Sequence, residues 1–143
     1  MLYWASGAPP VAARWGPFDP ARNLARPIPA GARLRADPAY VAYNIAEFQR
    51  TGFHGGLNYY RAVQSAFDLT AAYKGAVIRQ PSFYMTGTAD PIYALRPTTT
   101  EALRAGLPGL VGHEELDGIG HWPQHEAPDT VNRALLGFLR GLA

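Results

Sequence analysis

The sequence predicts an α/β fold with a short parallel sheet, and three observations predict it. The last 70 residues or so alternate in the order strand, helix, strand, helix, which is typical of parallel strands covered by helices. Their strand-like runs are short, apolar and bounded by Pro or Gly. The first half instead carries two helical patterns behind a Pro-rich start. We therefore expect a few parallel strands with covering helices, preceded by a helical region.

The N-terminal half is predicted to be a loop followed by two helices. Residues 1–37 are rich in Pro, Gly, Ala and Arg without a sustained period, which predicts a long irregular connection and not a packed layer. Asp37 and Pro38 predict a helix start, with Asp as N-cap and Pro at the first position. Gly52 suits the position just past the end of that helix. The second helix is predicted from about Leu57 to Phe67.

Three apolar runs in the second half predict strands. Ala76–Ile78 and Ser82–Thr86 have the length and composition of buried strands, and Pro81 and Gly87 bound the second run. Leu110–Leu116 predicts a further strand. No internal repeat is present.

Two helices are predicted beside these strands. Thr98 and Glu101 have the spacing of a capping box, and Gly106 marks the end of that helix. Asp129 predicts the N-cap of a terminal helix whose apolar residues, including Leu135, recur at helical spacing.

Composition excludes several classes of function. With 143 residues, 48% of them apolar, the chain is long enough for one domain with a core. A net charge of +2 without a run of basic residues argues against nucleic acid binding. No cysteine is present, which excludes disulfides and thiol catalysis. Because no apolar stretch reaches the length of a membrane span and no signal peptide is visible, we expect a cytoplasmic protein.

Asp90 and His121 are the candidate catalytic pair. Asp90 follows a predicted strand, and His121 lies between the next strand and its helix. Carboxyl ends of neighbouring parallel strands form the crevice where ligands bind, so both side chains are expected to face one site. A carboxylate on one imidazole nitrogen fixes the tautomer and leaves the other nitrogen free to take a proton from water. The alternative interpretation is a turn Asp before Pro and a surface-loop His.

Other candidate residues are weaker. His121 and His125 stand four apart, as zinc ligands can, but Pro123 between them disfavours a helix and no Glu follows His121. His54 begins a His-Gly-Gly sequence that resembles an oxyanion-hole motif, but its position before a predicted helix favours a simple helix entry. Tyr60 could donate its phenol proton to an alkoxide, or it could simply pack on an amphipathic helix. No G-x-S-x-G turn, or equivalent with Asp or Cys, supplies a nucleophile.

Together, three motifs resemble those of the soluble epoxide hydrolase family of the α/β-hydrolase fold. Thr51–Arg61 is similar to that family's lid signature, Gly75–Asp90 to its penultimate core strand and acid turn, and Gly120–Pro128 to its histidine loop. The match spans residues 38–143. The resemblance implies a partial α/β-hydrolase fold, with the last core strands and helices at 69–143 and the remainder of a lid at 1–68.

The resemblance also implies a chemistry. In this family a nucleophilic Asp opens an epoxide by forming an ester, and water activated by His hydrolyses that ester to a diol. His121 would be this general base, Asp90 its orienting carboxylate, and Tyr60 one of two lid phenols that hold the epoxide oxygen. The substrate would be a small-molecule epoxide, and neither a cofactor nor a metal is implied.

The family's nucleophile, oxyanion segment and first lid tyrosine have no counterpart in the sequence. We therefore expect the C-terminal portion of a hydrolase, inactive by itself and able to self-associate through an exposed sheet edge. The parent protein could instead be a haloalkane dehalogenase or an esterase of the same fold, although Tyr60 favours the epoxide interpretation. A non-catalytic stand-alone module is the third alternative.

Overall fold

A computed structural model describes residues 2–16, 19–22 and 26–142. The chain forms two compact units. Asp37–Val77 form one, called here the helical unit, and Met1–Ala36 with Ile78–Ala143 form the other, called the sheet unit. In the described part of the chain, no helix is both long and apolar enough to cross a membrane.

The helical unit contains three helices: α1 (Pro38–Thr51), α2 (His54–Arg61) and α3 (Val63–Thr70), followed by a 3₁₀ turn at Ala71–Tyr73. The N-cap of α1 is Asp37, whose Oδ1 accepts hydrogen bonds from the backbone N–H groups of Ala39 and Tyr40 at 2.7 and 3.2 Å, as predicted. Gly52 ends the helix with a φ of 68°, which favours glycine. The predicted second helix is in fact two helices, which meet at Ala62.

The sheet unit is built on two parallel strands, β1 (Ser82–Gly87) and β2 (Leu110–Leu116). Ser82 pairs with Leu110 and Phe83 with Gly112, so the register skips Val111. From Phe83 onward the pairing is regular. The partial α/β architecture predicted from the sequence is therefore present.

In the described part of this unit, four helices accompany the strands: α4 (Pro91–Leu95), α5 (Thr100–Gly106), α6 (Pro123–Glu126) and α7 (Pro128–Arg140), with 3₁₀ turns at Val11–Ala13 and Pro20–Arg22. The predicted caps are each displaced by one or two residues, since Thr99 caps α5 and Ala127 precedes α7. Asp129 lies in the first turn of α7, where a carboxylate favours the helix dipole. The short α6 begins at Pro123, because proline is tolerated at the first helical position.

The strand predicted at Ala76–Ile78 was wrong. These residues have no regular structure, and Val77 and Ile78 are 38% and 54% exposed. The backbone N–H of Ile78 donates to the carbonyl of Gly106, at the end of a helix, at 2.9 Å. An apolar run forms a strand only where a neighbouring strand accepts its backbone hydrogen bonds, and this run has none within the described residues.

The N-terminal segment is irregular, as predicted, but part of it is packed, contrary to prediction. Tyr3, Trp4, Ala5 and Ser6 are between 0% and 9% exposed, and Pro9 is also buried. Local hydrogen bonds replace a regular ladder here, for example from the Ser6 hydroxyl to the carbonyl of Tyr3 at 2.7 Å. Residues 1, 17–18 and 23–25 of this predicted loop lie outside the described residues. The assignment of 1–68 to a lid and 69–143 to a core stays a prediction, although residues 1–36 group with the strands.

Candidate active site

Asp90 occupies the turn that follows β1. It is the N-cap of α4, and its Oδ1 accepts the backbone N–H of Ile92 at 2.8 Å. Pro91 stands at the first helical position and is buried. The Ala-Asp-Pro sequence thus makes a cap in which one carboxylate oxygen is committed to the helix. The cap does not use the other carboxylate oxygen, Oδ2.

His121 lies in the loop between β2 and α6. Its backbone N–H donates to the carbonyl of Ala5 at 2.8 Å. The same loop is joined to the acid turn, because Ala89 donates its N–H to the carbonyl of Ile119 at 2.9 Å. The two loops follow the carboxyl ends of neighbouring parallel strands, which is the position of ligand sites in open α/β sheets.

The side chains of Asp90 and His121 are in contact, as the sequence predicts. Nδ1 of His121 lies 3.0 Å from Oδ2 of Asp90, and the two side chains are 35% and 14% exposed. Among the described residues, nothing forms a hydrogen bond with the other ring nitrogen of His121, Nε2. A neutral ring that donates from Nδ1 to the carboxylate presents a lone pair on Nε2.

The carboxylate raises the pKa of His121. The hydrogen bond to Asp90 is the largest cause, burial of the ring opposes it, and the charge of Asp90 adds to it. A raised pKa strengthens the imidazole as a base, and the same carboxylate stabilises the imidazolium that forms.

Two glycines allow close backbone contacts at the site: Gly87 lies against the loop at Ile119, and Gly120 lies against the N-terminal segment at Ala5. A Cβ on Gly87 would lie 2.1 Å from the carbonyl oxygen of Ile119, and one on Gly120 would lie 2.4 Å from that of Ala5. Real side chains do not make such contacts, so both positions require glycine. Sequence reasoning did not identify this requirement, because the facing backbone comes from distant parts of the chain.

The hydroxyl of Thr88 bridges the acid turn and the histidine loop. It accepts the backbone N–H of Gly118 at 2.9 Å, and it donates to Oδ1 of Asp117 at 3.1 Å. Sequence reasoning missed this support, although Thr88 stands within the Gly-Thr-Ala-Asp motif. The bridge helps hold Asp90 and His121 at a fixed separation.

The ring of Trp122 packs against the ring of His121. Its ring meets the His121 ring edge-on, with centroids 4.8 Å apart and an interplanar angle of 80°. It also contacts the ring of His125, with centroids 6.3 Å apart. The described residues contain no group of three His, Cys, Asp or Glu side chains that could hold a metal ion.

Tyr60, the third predicted site residue, belongs to the helical unit. It lies on α2, is 63% exposed, and meets the ring of Tyr59 edge-on at a centroid distance of 5.8 Å. On the same helix, Arg61 donates to Oδ1 of Asn58 at 2.9 Å. The phenol of Tyr60 is therefore accessible, and its catalytic role stays a prediction.

Comparison with known proteins identifies relatives of this chain. It is 54% identical over 140 residues to an epoxide hydrolase of Caballeronia sordidicola, which covers 98% of the chain and 43% of the relative. It is 40% identical over 116 residues to epoxide hydrolase A of Mycobacterium tuberculosis, covering 81% of the chain and 35% of the relative. No protein-family model matches.

A solved structure supports the same relationship. An epoxide hydrolase from an endophytic Streptomyces superposes with a TM-score of 0.80 and 33% sequence identity, covering 99% of this chain and 44% of that structure. The chain thus spans less than half the length of the relatives that it matches. By sequence and by fold, the chain is homologous to epoxide hydrolases over this portion of their length and carries part of the α/β-hydrolase fold.

Proposed function

We propose that the chain is the C-terminal portion of an enzyme that opens an epoxide to a diol through an aspartyl ester. His121 is the general base for ester hydrolysis, and Asp90 orients it. The observation that carries the proposal is the 3.0 Å contact between these side chains, in a chain whose relatives are named epoxide hydrolases. No cofactor enters the proposed reaction.

The proposed hydrolysis step follows from the geometry at His121. Nε2 takes a proton from a water molecule, whose oxygen adds to the carbonyl carbon of the ester. The C–O bond to the product then breaks, and the leaving alkoxide takes the proton held on Nε2, which releases the diol and restores the neutral imidazole. The aspartyl carboxyl group that forms loses its proton to solvent, which regenerates the nucleophilic carboxylate. Nδ1 keeps its proton and hydrogen-bonds Asp90 throughout, so the positive charge on the ring is balanced.

Tyr60 is proposed to act in the earlier step. When the nucleophilic Asp attacks an epoxide carbon, the ring C–O bond breaks and negative charge develops on the oxygen. A phenol donates a hydrogen bond to that oxygen near neutral pH, because its ordinary pKa is about 10. The exposure of Tyr60 on α2 supports this role.

A chimera tests the role of His121. This chain replaces the aligned residues of the Caballeronia sordidicola relative, and styrene oxide is the substrate. We expect the chimera to form the diol, and His121→Gln to lower turnover by several orders of magnitude. The His121→Gln chimera should also accumulate an ester, seen by mass spectrometry as an increase of one epoxide mass. His54→Gln is the matched control and should leave turnover unchanged. An inactive His121→Gln chimera without any adduct would contradict the proposed role.

The same chimera tests Tyr60 against its neighbour. Tyr60→Phe should slow ester formation about a hundredfold, as loss of one donor to a developing oxyanion does. Tyr59→Phe should have little effect. Equal effects of the two substitutions would contradict the assignment of the donor.

We propose further that the chain by itself does not turn over epoxides, because no nucleophile motif is present in its sequence. Incubation of the purified chain with styrene oxide should yield no diol above the uncatalysed rate. Diol formation by a folded monomer would contradict the proposal.

Halide release from a haloalkane by the chimera would favour the dehalogenase alternative.

A further inference from the structure

Glu126 is a buried carboxylate beside the site. Its side chain is only 1% exposed. Oε1 accepts the backbone N–H of Gly120 at 3.0 Å, and Oε2 accepts that of Gly7 at 2.9 Å. The guanidinium of Arg35 approaches Oε2 at 3.5 Å. The catalytic steps proposed above do not use this residue.

These bonds join the loop before α6 to the distant N-terminal segment. Gly120 immediately precedes His121, whereas Gly7 and Arg35 belong to the N-terminal segment. Arg35 also donates to the carbonyl of Gly118 at 2.9 Å, so it binds the histidine loop directly as well. The carboxylate therefore holds the loop against the N-terminal segment.

The two peptide groups that precede the α-carbon of His121 are both anchored through their N–H groups. The N–H of Gly120 is held by Glu126, and the N–H of His121 is held by the carbonyl of Ala5. Because both peptides are anchored, the backbone at Gly120, where they meet, has little freedom to rotate. The direction in which the imidazole leaves the backbone is therefore set by these contacts.

A buried carboxylate is costly unless strong hydrogen bonds or a cation compensate for its lost hydration. Glu126 has two backbone donors and Arg35. Replacing the carboxylate with an amide would turn an NH₂ group toward one of the backbone donors. That change should release the loop on at least one side.

We propose that Glu126 is a positioning residue for His121, one that keeps the imidazole on Asp90 by anchoring the Gly120 peptide to the N-terminal segment. The inference rests on the proposed function only in calling His121 the general base. The anchoring itself can be measured without epoxide turnover.

The test uses the chain as it is, with NMR titration of the His121 ring. In the unsubstituted chain the pKa of His121 should lie above its ordinary value, with a downfield Nδ1–H resonance from the bond to Asp90. In Glu126→Gln the pKa should fall toward the ordinary value and that resonance should weaken. Exchange of the Gly120 N–H should become about tenfold faster or more.

Two further variants make the test decisive. Glu114→Gln removes the same charge from an exposed position on β2 and should change none of these readouts. Arg35→Ala removes only the exposed arm of the anchor and should lower the pKa of His121 less than Glu126→Gln does. If Glu126→Gln does not fold, Arg35→Ala alone decides the test.

The outcomes separate this inference from the proposed function. Glu126→Gln that lowers stability but leaves the His121 titration and its Nδ1–H unchanged would overturn the positioning role, as would an unchanged titration in Arg35→Ala if only that variant folds. A perturbed titration combined with an active His121→Gln chimera would instead overturn the general-base assignment and leave the anchor intact.

Discussion

The two carboxylate oxygens of Asp90 have different partners, the first turn of α4 and the ring of His121. Oδ1 caps α4 and Oδ2 accepts from His121, so the start of the helix and the direction of the imidazole are fixed by one side chain. An asparagine at this position could still cap the helix through its side-chain oxygen, but it would carry no charge toward the ring. The two roles can therefore be separated by substitution.

Asp90→Asn should lower stability more in acid than in alkali. Because folding raises the pKa of His121, the pair stabilises the fold fully below the unfolded value of about 6.5, and this contribution is lost as pH rises through the folded pKa. The partly exposed ring limits the effect to about 1 kcal/mol or less. Urea unfolding at pH 5.5 and pH 9 measures the difference.

The control for this experiment is the same substitution in a His121→Gln background. Without the imidazole, the effect of Asp90→Asn should no longer depend on pH. A pH dependence that persists in the double variant would show that another titrating group causes it.

In the chimera, the same raised pKa of His121 implies that ester hydrolysis slows as pH falls and the ring becomes protonated.

Gly120 should tolerate no side chain. Gly120→Ala places a Cβ 2.4 Å from the carbonyl oxygen of Ala5, and backbone must move to relieve the clash. We expect a loss of about 2 kcal/mol or more in the free energy of unfolding. Gly137→Ala, in open space on α7, should instead stabilise by about 0.5–1 kcal/mol. Chemical denaturation of both variants checks the contrast.

At the scale of elements, side-chain hydrogen bonds link two short helices to β2. The Tyr93 hydroxyl on α4 donates to Oε1 of Glu115 on β2 at 2.6 Å. Thr100 on α5 and His113 on β2 are joined through Oγ1 and Nδ1 at 3.0 Å. Because Asp90 is the N-cap of α4, the attachment of this helix to β2 also contributes to the placement of Asp90.

The N-cap of α5 is Thr99, one residue after the Thr98 cap predicted from the sequence, and substitution of each threonine tests this boundary. Thr99 Oγ1 accepts the N–H of Ala102 at 3.1 Å, so Thr99→Ala should cost about 1 kcal/mol of unfolding free energy. Thr98→Ala, the substitution at the predicted cap, should cost much less. Thermal or urea unfolding distinguishes the two, and a larger cost at Thr98 would contradict the boundary.

At the scale of the whole molecule, much apolar surface is exposed. Leu135, Leu136, Leu139 and Leu142 near the C-terminus are each 49% exposed, and Val111 on β2 is 65% exposed. Among the described residues, β1 and β2 pair only with each other, so each has an edge without a strand partner. Unpaired edges and apolar patches favour association between chains.

We therefore expect the purified chain to associate as its concentration rises, measured by sedimentation velocity. Val111→Lys places a charge on β2 and should weaken association by about tenfold or more without unfolding the chain. Leu69→Lys, at a 76% exposed position on α3, is the control. A chain that stays monomeric at high concentration, or equal effects of both variants, would contradict association through the sheet.

Sequence reasoning was strongest where a motif is local. The Asp-Pro start of α1 and its end at Gly52 follow from residues that act on their own neighbours in sequence. The two strands after residue 80 were also predicted, from short apolar runs, and here the partner that a strand needs is present. Ala76–Ile78 shows the limit of this reasoning, because an apolar run becomes a strand only beside a partner. Three consecutive threonines at the start of α5 likewise offer three hydroxyls, and backbone direction selects that of Thr99 as the cap.

The sequence alone determined the class of fold, the order of Asp90 and His121 along the chain and the motifs that resemble epoxide hydrolases, because these depend on residue type and spacing. Only the tertiary structure decided that residues 3–6 are buried, with the carbonyl of Ala5 bound to the N–H of His121. It also decided that Gly87 and Gly120 admit no side chain, and that Glu126 accepts the N–H of Gly120, the residue before His121. These features depend on contacts between residues up to 119 positions apart. Such contacts leave no period or spacing in a single sequence, since their energy comes from desolvation and hydrogen bonds formed only after folding.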